Sequence, residues 1–464
     1  MPSDTEAVPA GPRRAFVVAA PWSGAGKTTI TLGVLAALRA RGLSVQAFKA
    51  GPDYIDPAHH ARVTGRASHN LDTWMIPEAA NRRIFFGASR GCDVAVVEGV
   101  MGLFDGASGS GPEGSTAHLA ALLGIPVVLV VDVRSMARTA AALVGGLAGF
   151  DPSVRVAGVI WNRVGSPGHR RLLDEALEAA GFPPALGAFP REAALAVPER
   201  HLGLVTPEDA GLAADWAERL AARAEAHIDL DELLHRTAFR GAGSAAPQQA
   251  VRLLRCRRIA VARDAAFCFY YEENLAVLRR AGAEIVCFAP LEGDGVPPDV
   301  HGVYLGGGYP EVHARRLARN QAFLEGLREL HGRGVPIYAE CGGFMALCAE
   351  LEDVEGRVYP MAGVFRARVR MRRNRFRLGY REVEVTGLPG LEGLRARGHE
   401  FHYSDLVAPP AGARAAYRVR SARGEPLGRE GYRMGSALGS YIHLHFASCP
   451  ALPLRWFGPE VVHE

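Results

Sequence analysis

The segment PWSGAGKTT, residues 21–29, is the clearest indication of the fold of the first half of the chain. The β-branched run Phe16–Ala20 precedes it, and Thr28–Arg41, whose apolar residues recur with a helical period, follows it. Glycines between a strand and a helix let backbone N–H groups turn inward to hold a phosphate at the helix N-terminus. Pro21 replaces the first glycine of the usual G-x-x-x-x-G-K-[ST] pattern, so a plain glycine-rich turn is the alternative. The strand–loop–helix order predicts a P-loop.

The lysines of the chain support this interpretation. Only two of the 53 basic residues are lysine, Lys27 and Lys49. A compact ammonium binds phosphate at sites where a wide planar guanidinium does not fit. We therefore expect Lys27 to reach the β- and γ-phosphates of a nucleotide and Thr28 to ligate Mg²⁺. The predicted nucleotide-binding residues are Ser23, Gly24, Gly26, Lys27, Thr28, Thr29, Lys49 and Asn162.

Apolar, β-branched runs alternate with helical stretches along the first half of the chain. Strands covered by helices on both faces are apolar throughout, whereas strands with one solvated face alternate. The pattern therefore predicts a doubly wound α/β domain with a parallel sheet. The predicted strands are Phe16–Ala20, Val45–Phe48, Val94–Val97, Val127–Val131 and Val156–Trp161.

Acidic side chains follow two of these strands, at the sheet edge where ligands bind in doubly wound folds. Asp53 and Asp56 lie in one loop, and Glu98 and Asp105 lie near the two ends of another, glycine-rich loop. We expect Glu98 to bind a metal, because a charge directly after a buried strand is costly without a partner. Turn formation is the alternative for the three aspartates. Ordinary capping is the alternative to adenine recognition for Asn162.

A short segment without periodicity separates the two halves. Residues 241–249 (GAGSAAPQQ) are small, polar and turn-forming. We predict a tail at 1–14, a P-loop domain at 15–240, a linker at 241–254 and a second domain at 255–464. The second domain begins with alternating strands and helices, and antiparallel strands are expected from Val364 onward. It is therefore also predicted to be α/β.

Cys341 stands at the centre of the second half. An apolar strand, Val335–Ala339, runs into Glu340-Cys341-Gly342-Gly343, and a helix follows. A sharp strand-to-helix turn presents a nucleophile at the sheet edge, and the glycines permit the turn. The helix N-terminus is expected to lower the pKa of the thiol and to supply an N–H for an oxyanion. The other six cysteines have no such setting, and burial in a core is the alternative for any cysteine.

A thiol nucleophile needs an imidazole, and the late strand SYIHLHF at 440–446 offers two. His443 is predicted to be the base. His445 lies two residues later on the same face, and the group that would orient the base stays open. Two structural histidines in a strand are the alternative. Gly307, in a glycine-rich loop after another strand, is placed to help form the oxyanion hole.

These motifs resemble the cobyrinic acid a,c-diamide synthase family, glutamine-dependent amidases of corrinoid synthesis, over nearly the whole chain. The first half is similar to dethiobiotin synthetase, and the second to class I glutamine amidotransferases. In the latter class a glutamate usually stands at the position of His445, so the third member of the triad stays open. The matching segments are the P-loop at 23–29, FKAGPDYIDP at 48–57, NLDTWM at 70–75, EGVMGLFDG at 98–106, PERHLGL at 198–204, DAAFCFYYEENL at 264–275, YLGGGYPE at 304–311, AECGGFM at 339–345 and SYIHLHF at 440–446.

The resemblance implies a carbon–nitrogen ligase of cobalamin biosynthesis. Its reaction would be the ATP- and Mg²⁺-dependent amidation of the a- and c-side-chain carboxylates of cobyrinate, with glutamine as nitrogen donor. Ammonia released at Cys341 would reach an acyl phosphate through an internal passage. Hydrogenobyrinate and nickel sirohydrochlorin remain alternative substrates, although the resemblance favours the cobalt branch.

The resemblance also assigns residues to roles. The catalytic set is Cys341, His443, His445, Asp53, Asp56, Glu98 and Asp105. The metal ligands it implies are Thr28, Glu98 and Asp53. The implied substrate contacts are Tyr54 and Ile55, which fall where the family contacts the corrin, and Gly307.

Composition excludes several other classes. The net charge is only +4 over 464 residues, so we expect no nucleic-acid partner. No apolar stretch is long enough to span a membrane, so we expect no membrane partner and a cytoplasmic location. The expected partners are cobyrinate, L-glutamine and ATP, with a homodimer left open. A partitioning or transport ATPase is the competing class, but neither needs Cys341 with its histidines.

One basic segment needs its own interpretation. Eight arginines lie between Arg366 and Arg381, at positions 366, 368, 370, 372, 373, 375, 377 and 381. Their alternation predicts a strand with one charged, solvated face that protects a sheet edge from pairing. Attraction of a polycarboxylate substrate is the alternative.

Overall fold

The computed structural model describes residues 11–190, 199–200, 203–204, 215–239, 241, 253–373 and 376–459. The chain divides into two compact units, Met1–Pro247 and Gln248–Glu464. Most of the predicted tail at 1–14, most of the predicted linker at 241–254 and part of the PERHLGL segment at 198–204 lie outside the described residues. The four predicted domain limits therefore stay a prediction.

The first unit contains a parallel sheet, as predicted. In the described residues this sheet has seven strands in the order β3-β2-β4-β1-β5-β6-β7. The strands are β1 (Arg14–Ala19), β2 (Val45–Ala50), β3 (His69–Leu71), β4 (Val94–Glu98), β5 (Val127–Asp132), β6 (Val156–Val164) and β7 (Gly187–Pro190), and a separate pair is β8 (Glu199–Arg200) and β9 (Gly203–Leu204).

Helices connect these strands. They are α1 (Lys27–Ala40), α2 (Ile55–Thr64), α3 (Glu78–Ala88), α4 (Thr116–Leu123), α5 (Arg138–Phe150), α6 (Pro167–Ala179), α7 (Trp216–His227) and α8 (Leu230–Arg236). The apolar strands are buried throughout, as strands covered on both faces must be. Because β2, β4 and β1 are neighbours, the residues at their carboxyl ends meet. β2 and β4 extend slightly beyond the apolar runs, so Lys49 lies near the end of β2 and Glu98 ends β4.

The second unit has a mixed sheet. Its order in the described residues is β11-β10-β12-β13-β22-β21-β20-β17-β18-β23. The strands of the whole unit, including four that form a separate sheet, are β10 (Arg258–Ala262), β11 (Glu284–Phe288), β12 (Gly302–Leu305), β13 (Ile337–Glu340), β14 (Cys348–Glu352), β15 (Val358–Pro360), β16 (Phe365–Met371), β17 (Arg377–Val385), β18 (Arg395–His402), β19 (Ser404–Leu406), β20 (Arg414–Ser421), β21 (Pro426–Met434), β22 (Ala437–Ser440) and β23 (Ile442–Leu444).

The helices of this unit cover both faces of the sheet. They are α9 (Glu272–Arg280), α10 (Ala314–Leu317), α11 (Gln321–Gly332), α12 (Gly342–Leu347) and α13 (Ala451–Trp456). Alternate residues of β12 enter different cores: Val303 and Leu305 pack in one apolar cluster, and Tyr304 packs in another. Side chains of successive strand residues point to opposite faces, so the sheet carries a core on each side.

The arginine-rich strand corrects one prediction. β16 is not an edge strand, because it lies between β14 and β19 in a separate sheet of order β15-β14-β16-β19. Arg368 bonds Glu350 at 2.6 Å, and Arg370 bonds Glu352 at 2.8 Å, both across to β14. The charged face is thus matched by acids of the neighbouring strand. Arg375 lies outside the described residues.

No helix in the described ranges has both the length and the apolar character needed to cross a bilayer. All seven cysteines are free thiols.

Two candidate active sites

The P-loop joins β1 to α1, and its glycines have the conformations that its shape requires. Gly24 and Gly26 adopt φ values of 81° and 95°, in the left-handed region that only glycine adopts without strain. A Cβ on Gly26 would lie 2.1 Å from Nδ2 of Asn162. Asn162 donates from Nδ2 to the carbonyl of Ala25 at 2.8 Å. Asn162 therefore braces the P-loop, whereas its predicted adenine contact stays a prediction.

A cavity opens at this loop. It is lined by Ser23, Gly24, Gly26, Lys27, Thr28, Thr29, Lys49, Asp53, Glu98, Gly99, Val100, Met101 and Arg163. Lys27 donates from Nζ to the carbonyl of Met101 at 2.5 Å and to that of Trp22 at 3.3 Å. Burial and the charge of Lys49 lower the pKa of Lys27 to about 8. The sequence did not predict Arg163, which donates to the carbonyl of Gly24 at 3.1 Å.

A buried charge cluster lies beneath the loop. Lys49 Nζ is 2.5 Å from Asp56 and 3.0 Å from Glu98. Thr28 Oγ1 donates to Glu98 at 2.5 Å and lies 3.5 Å from Oδ2 of Asp56. Burial opposes the charge of Glu98, but Lys49 and His60 outweigh it and hold the pKa of Glu98 well below its usual range. Burial, with repulsion from Asp53 and Glu98, instead raises the pKa of Asp56 well above its usual value. The pair that stays ionised in this desolvated site is therefore Lys49 with Glu98.

His60 is the residue of this cluster that sequence reasoning missed. Its Nε2 is 2.7 Å from Oε2 of Glu98, and its Nδ1 is 3.2 Å from the Ser68 hydroxyl. His60 follows Asp56 by four residues in α2, so both side chains lie on one face of that helix. This i, i+4 spacing was the available signal.

The remaining predicted residues of this site take different positions. Asp53 accepts from the N–H groups of Ile55 and Asp56, at 2.8 and 3.0 Å, and so starts α2. Tyr54 and Ile55 are half-buried in the first turn of that helix. Asp105 is exposed and accepts from the N–H of Gly102 at 2.9 Å. Asp53 and Asp105 thus both accept hydrogen bonds from nearby backbone N–H groups, as aspartates in turns do.

The oxygens beneath the P-loop suit a magnesium ion. Thr28, Asp56 and Glu98 bring hydroxyl and carboxylate oxygens together, and Oδ1 of Asp56 is a buried atom without a hydrogen-bond partner in the described part of the chain. Mg²⁺ binds through one or two carboxylates together with substrate phosphates. No cluster of three or more His, Cys, Asp or Glu side chains among the described residues forms a metal site alone. The donors fit Mg²⁺ only with a nucleotide present.

In the second unit, Cys341 lies at the turn between β13 and α12. Its φ of 47° is strained for a residue other than glycine. A Cβ on Gly343 would lie 2.4 Å from the carbonyl of Leu305, so a glycine is needed where α12 crosses β12. The predicted strand–nucleophile–helix turn is therefore present.

The predicted direction of the thiol pKa is wrong. Burial raises the pKa of Cys341 above its usual value, and the nearby carboxylate of Glu311 adds to the effect. The N-terminus of the six-residue α12 does not overcome this desolvation. The resting nucleophile is a neutral thiol.

His443 lies in β23, next to the glycine-rich loop. A Cβ on Gly307 would be 2.5 Å from Cε1 of His443, so Gly307 makes room for the imidazole ring. The other side of the ring stacks on His399, with centroids 4.9 Å apart. Burial, with His399 adding repulsion, lowers the pKa of His443 well below its usual value. The base is therefore neutral at rest.

His445 directly follows β23, and its catalytic role stays a prediction. Its ring packs against Tyr271, with centroids 4.7 Å apart. The carboxylate that the structure brings to within 3.9 Å of His443 Nδ1 is Glu340, the residue before Cys341. The adjacency of Glu340 to the nucleophile was visible in the sequence, but only the fold brings it to β23.

Comparisons with known proteins assign a domain family to each half of the chain. Residues 16–205 match the CobQ/CobB/MinD/ParA nucleotide binding domain, and residues 258–451 match the CobB/CobQ-like glutamine amidotransferase domain. The cobyrinate a,c-diamide synthase of Syntrophotalea carbinolica is 44% identical, over 94% of this chain and 96% of that protein. The chain belongs to the cobyrinate a,c-diamide synthase family. It is thus a glutamine-dependent amidating ligase with a nucleotide-binding domain.

Other relatives carry one of two names, which differ in the substrate they state. The cobyrinate a,c-diamide synthase of Listeria innocua is 42% identical, over 96% of this chain and 98% of that protein. The hydrogenobyrinate a,c-diamide synthase of Brucella abortus is 45% identical, over 93% of this chain and 98% of that protein. Identity alone therefore does not separate the two branches.

Proposed function

We propose that this chain converts the a- and c-side-chain carboxylates of cobyrinate to amides, using ATP and glutamine. The observation that carries the proposal is the presence of both sites in one chain. A charge cluster beneath a P-loop serves carboxylate activation, and a buried thiol with an imidazole serves ammonia release. Relatives named for this reaction match nearly the full length. Hydrogenobyrinate is the second candidate substrate, supported by the Brucella relative.

In the glutaminase reaction, His443 takes the proton of the Cys341 thiol as the sulfur attacks the side-chain amide carbon of glutamine. The proton then passes to the leaving nitrogen, which departs as ammonia and leaves a thioester. Water hydrolyses the thioester to glutamate and restores the thiol. Because both groups are neutral at rest, charge separates only as the reaction proceeds.

In the synthetase reaction, the substrate carboxylate oxygen attacks the γ-phosphorus of ATP, which gives an acyl phosphate and ADP. Ammonia then adds to the acyl carbon, loses a proton and displaces phosphate, so each amide consumes one ATP. Lys27 and Lys49 balance the charge on the phosphates. Mg²⁺, held by Thr28, Glu98 and Asp56 or the predicted Asp53, would neutralise phosphate charge when bound.

The test measures the masses of the products that the protein forms from three candidate substrates. Purified protein with ATP, Mg²⁺ and glutamine is incubated with cobyrinate, hydrogenobyrinate or nickel sirohydrochlorin, and the products are weighed by mass spectrometry. We expect two successive conversions of acid to amide, with the highest kcat/KM on cobyrinate. Faster turnover of another substrate would reassign the branch, and no product from any of the three would refute a tetrapyrrole substrate.

A further inference from the structure

Glu340 places a buried carboxylate beside the imidazole of His443. Its Oε2 lies 3.9 Å from Nδ1 of His443, and both side chains are almost wholly buried. Glu340 ends β13 directly before Cys341, so one strand end carries both the nucleophile and a carboxylate. We propose that Glu340 is the positioning residue of the glutaminase site: it orients His443 through Nδ1 and balances the charge that His443 gains with the thiol proton.

Three donors hold the carboxylate of Glu340 in place. Tyr304 and Tyr338 donate their hydroxyls to Oε2 and Oε1, at 2.9 and 2.7 Å, and the N–H of Leu444 donates to Oε1 at 3.0 Å. Leu444 follows His443 in β23, so the same carboxylate also fixes the strand that carries the base. Such a set of bonds orients the carboxylate rigidly, as a positioning group requires.

The contact with Nδ1 determines which nitrogen of His443 can accept a proton. An imidazole that keeps its proton on Nδ1, facing Glu340, leaves Nε2 free of a proton and able to take one from the thiol. At 3.9 Å the contact is longer than a hydrogen bond, and catalytic contacts often tighten when substrate binds. The attraction grows when His443 becomes cationic, which is the moment at which the reaction needs it.

Two other residues near His443 are less suited to the role. Glu400 already bonds Arg381 at 2.7 Å and His402 at 2.8 Å, so its charge is balanced elsewhere. His445 carries no negative charge to offset an imidazolium.

Ionisation of Glu340 offers a signature that a purely structural role would lack. Burial raises the pKa of Glu340 to about 7. The titratable groups around it are Tyr270, Tyr304, Tyr338, Tyr417, Cys341 and His443. Glutamine hydrolysis should therefore rise as the pH increases through about 7 and Glu340 ionises. This rise should vanish when a neutral side chain replaces Glu340.

The experiment compares Glu340→Gln with Glu430→Gln. Glu430 is a matched control, because burial also raises its pKa to about 7 and it bonds Ser440 at 2.5 Å and the Tyr441 N–H at 2.7 Å in the adjoining segment. For Glu340→Gln we expect kcat for glutamine hydrolysis to fall about 100-fold with KM within threefold, the size of a lost supporting carboxylate. Glu430→Gln should stay within about threefold of the unaltered protein and keep the pH rise.

This inference rests only on the glutaminase half of the proposed function. Glutamate release is measured without a tetrapyrrole, so a wrong substrate assignment leaves the result intact. A glutaminase active after Cys341→Ala would refute the proposed chemistry instead. If kcat for glutamine hydrolysis fell equally in Glu340→Gln and Glu430→Gln, or stayed unaltered in Glu340→Gln, the proposed role of Glu340 would be wrong.

A second variant covers the case in which Glu340→Gln does not fold. Tyr338→Phe removes one donor from the carboxylate and keeps the ring. It should raise the midpoint of the pH rise, because a lost donor makes the ionised carboxylate less favourable. An unchanged midpoint would contradict the proposal.

Discussion

In the first unit, the loop after β1 starts a fourteen-residue helix, and glycines occupy its left-handed positions. In the second unit, the turn after β13 starts a six-residue helix, and Cys341 itself occupies the left-handed position. Both units thus place their chemistry between a parallel strand and a helix. At the P-loop the backbone N–H groups are available to a phosphate, whereas at the turn after β13 a strained backbone presents the side chain of Cys341.

The two sites differ most in their charges at rest. Beneath the P-loop, Lys49 and Glu98 form an ion pair with a separation of 3.0 Å, and His60 supports Glu98. Around Cys341, burial favours the neutral forms of both the thiol and His443. A site that receives a polyanion needs preformed charge, whereas a site that receives a neutral amide creates charge only during the reaction.

Cys341→Ala should give the largest effect and should separate the two sites. Glutamine-driven amidation should fall by about four orders of magnitude, because the thioester cannot form, while ammonia-driven amidation should persist. Amide formation with each nitrogen source is the measurement. Cys348→Ala is the matched control, since that thiol is also buried and burial also raises its pKa. Retained glutamine activity in Cys341→Ala would remove Cys341 from the mechanism.

His60→Gln tests whether the charge cluster depends on its supporting histidine. Both glutamine-driven and ammonia-driven amidation should fall about 10- to 100-fold, because Glu98 loses its partner at 2.7 Å. The two rates are measured together with glutamine hydrolysis alone, which should not change. His59→Gln is the neighbouring control, a buried ring that packs against Trp216. Equal effects of the two variants would mean that packing, not support of Glu98, explains the loss.

Gly26→Ala should give the smallest effect. The added methyl group would collide with Asn162 and disturb the P-loop, so we expect the KM for ATP to rise about tenfold, the size of one lost interaction. Gly42→Ala is the control, because Gly42 has a φ of 80° but no atom within 4 Å of a new Cβ, leaving only about 1 kcal/mol of backbone strain. Steady-state ATP titration distinguishes the two, and an unchanged KM in Gly26→Ala would show that the bracing by Asn162 is dispensable.

Much of the fold was predictable because local patterns determine it. Apolar runs in the first half predicted the parallel sheet, and the spacing of glycines predicted both strand-to-helix turns. Less was predictable wherever a property depends on distant neighbours. The pKa of Cys341 follows from burial rather than from its helix, and β16 lies inside a sheet because β14 supplies acids opposite its arginines.

Local sequence was enough to identify the two motifs, their order along the chain and five candidate site residues: Lys27, Lys49, Glu98, Cys341 and His443. The side chains that support these residues could be identified only from the folded structure. His60 reaches Glu98 across 38 residues, and Glu340 reaches the Leu444 N–H across 104. Such contacts join separate strands and helices at one sheet edge, and no local periodicity records which distant residues meet there.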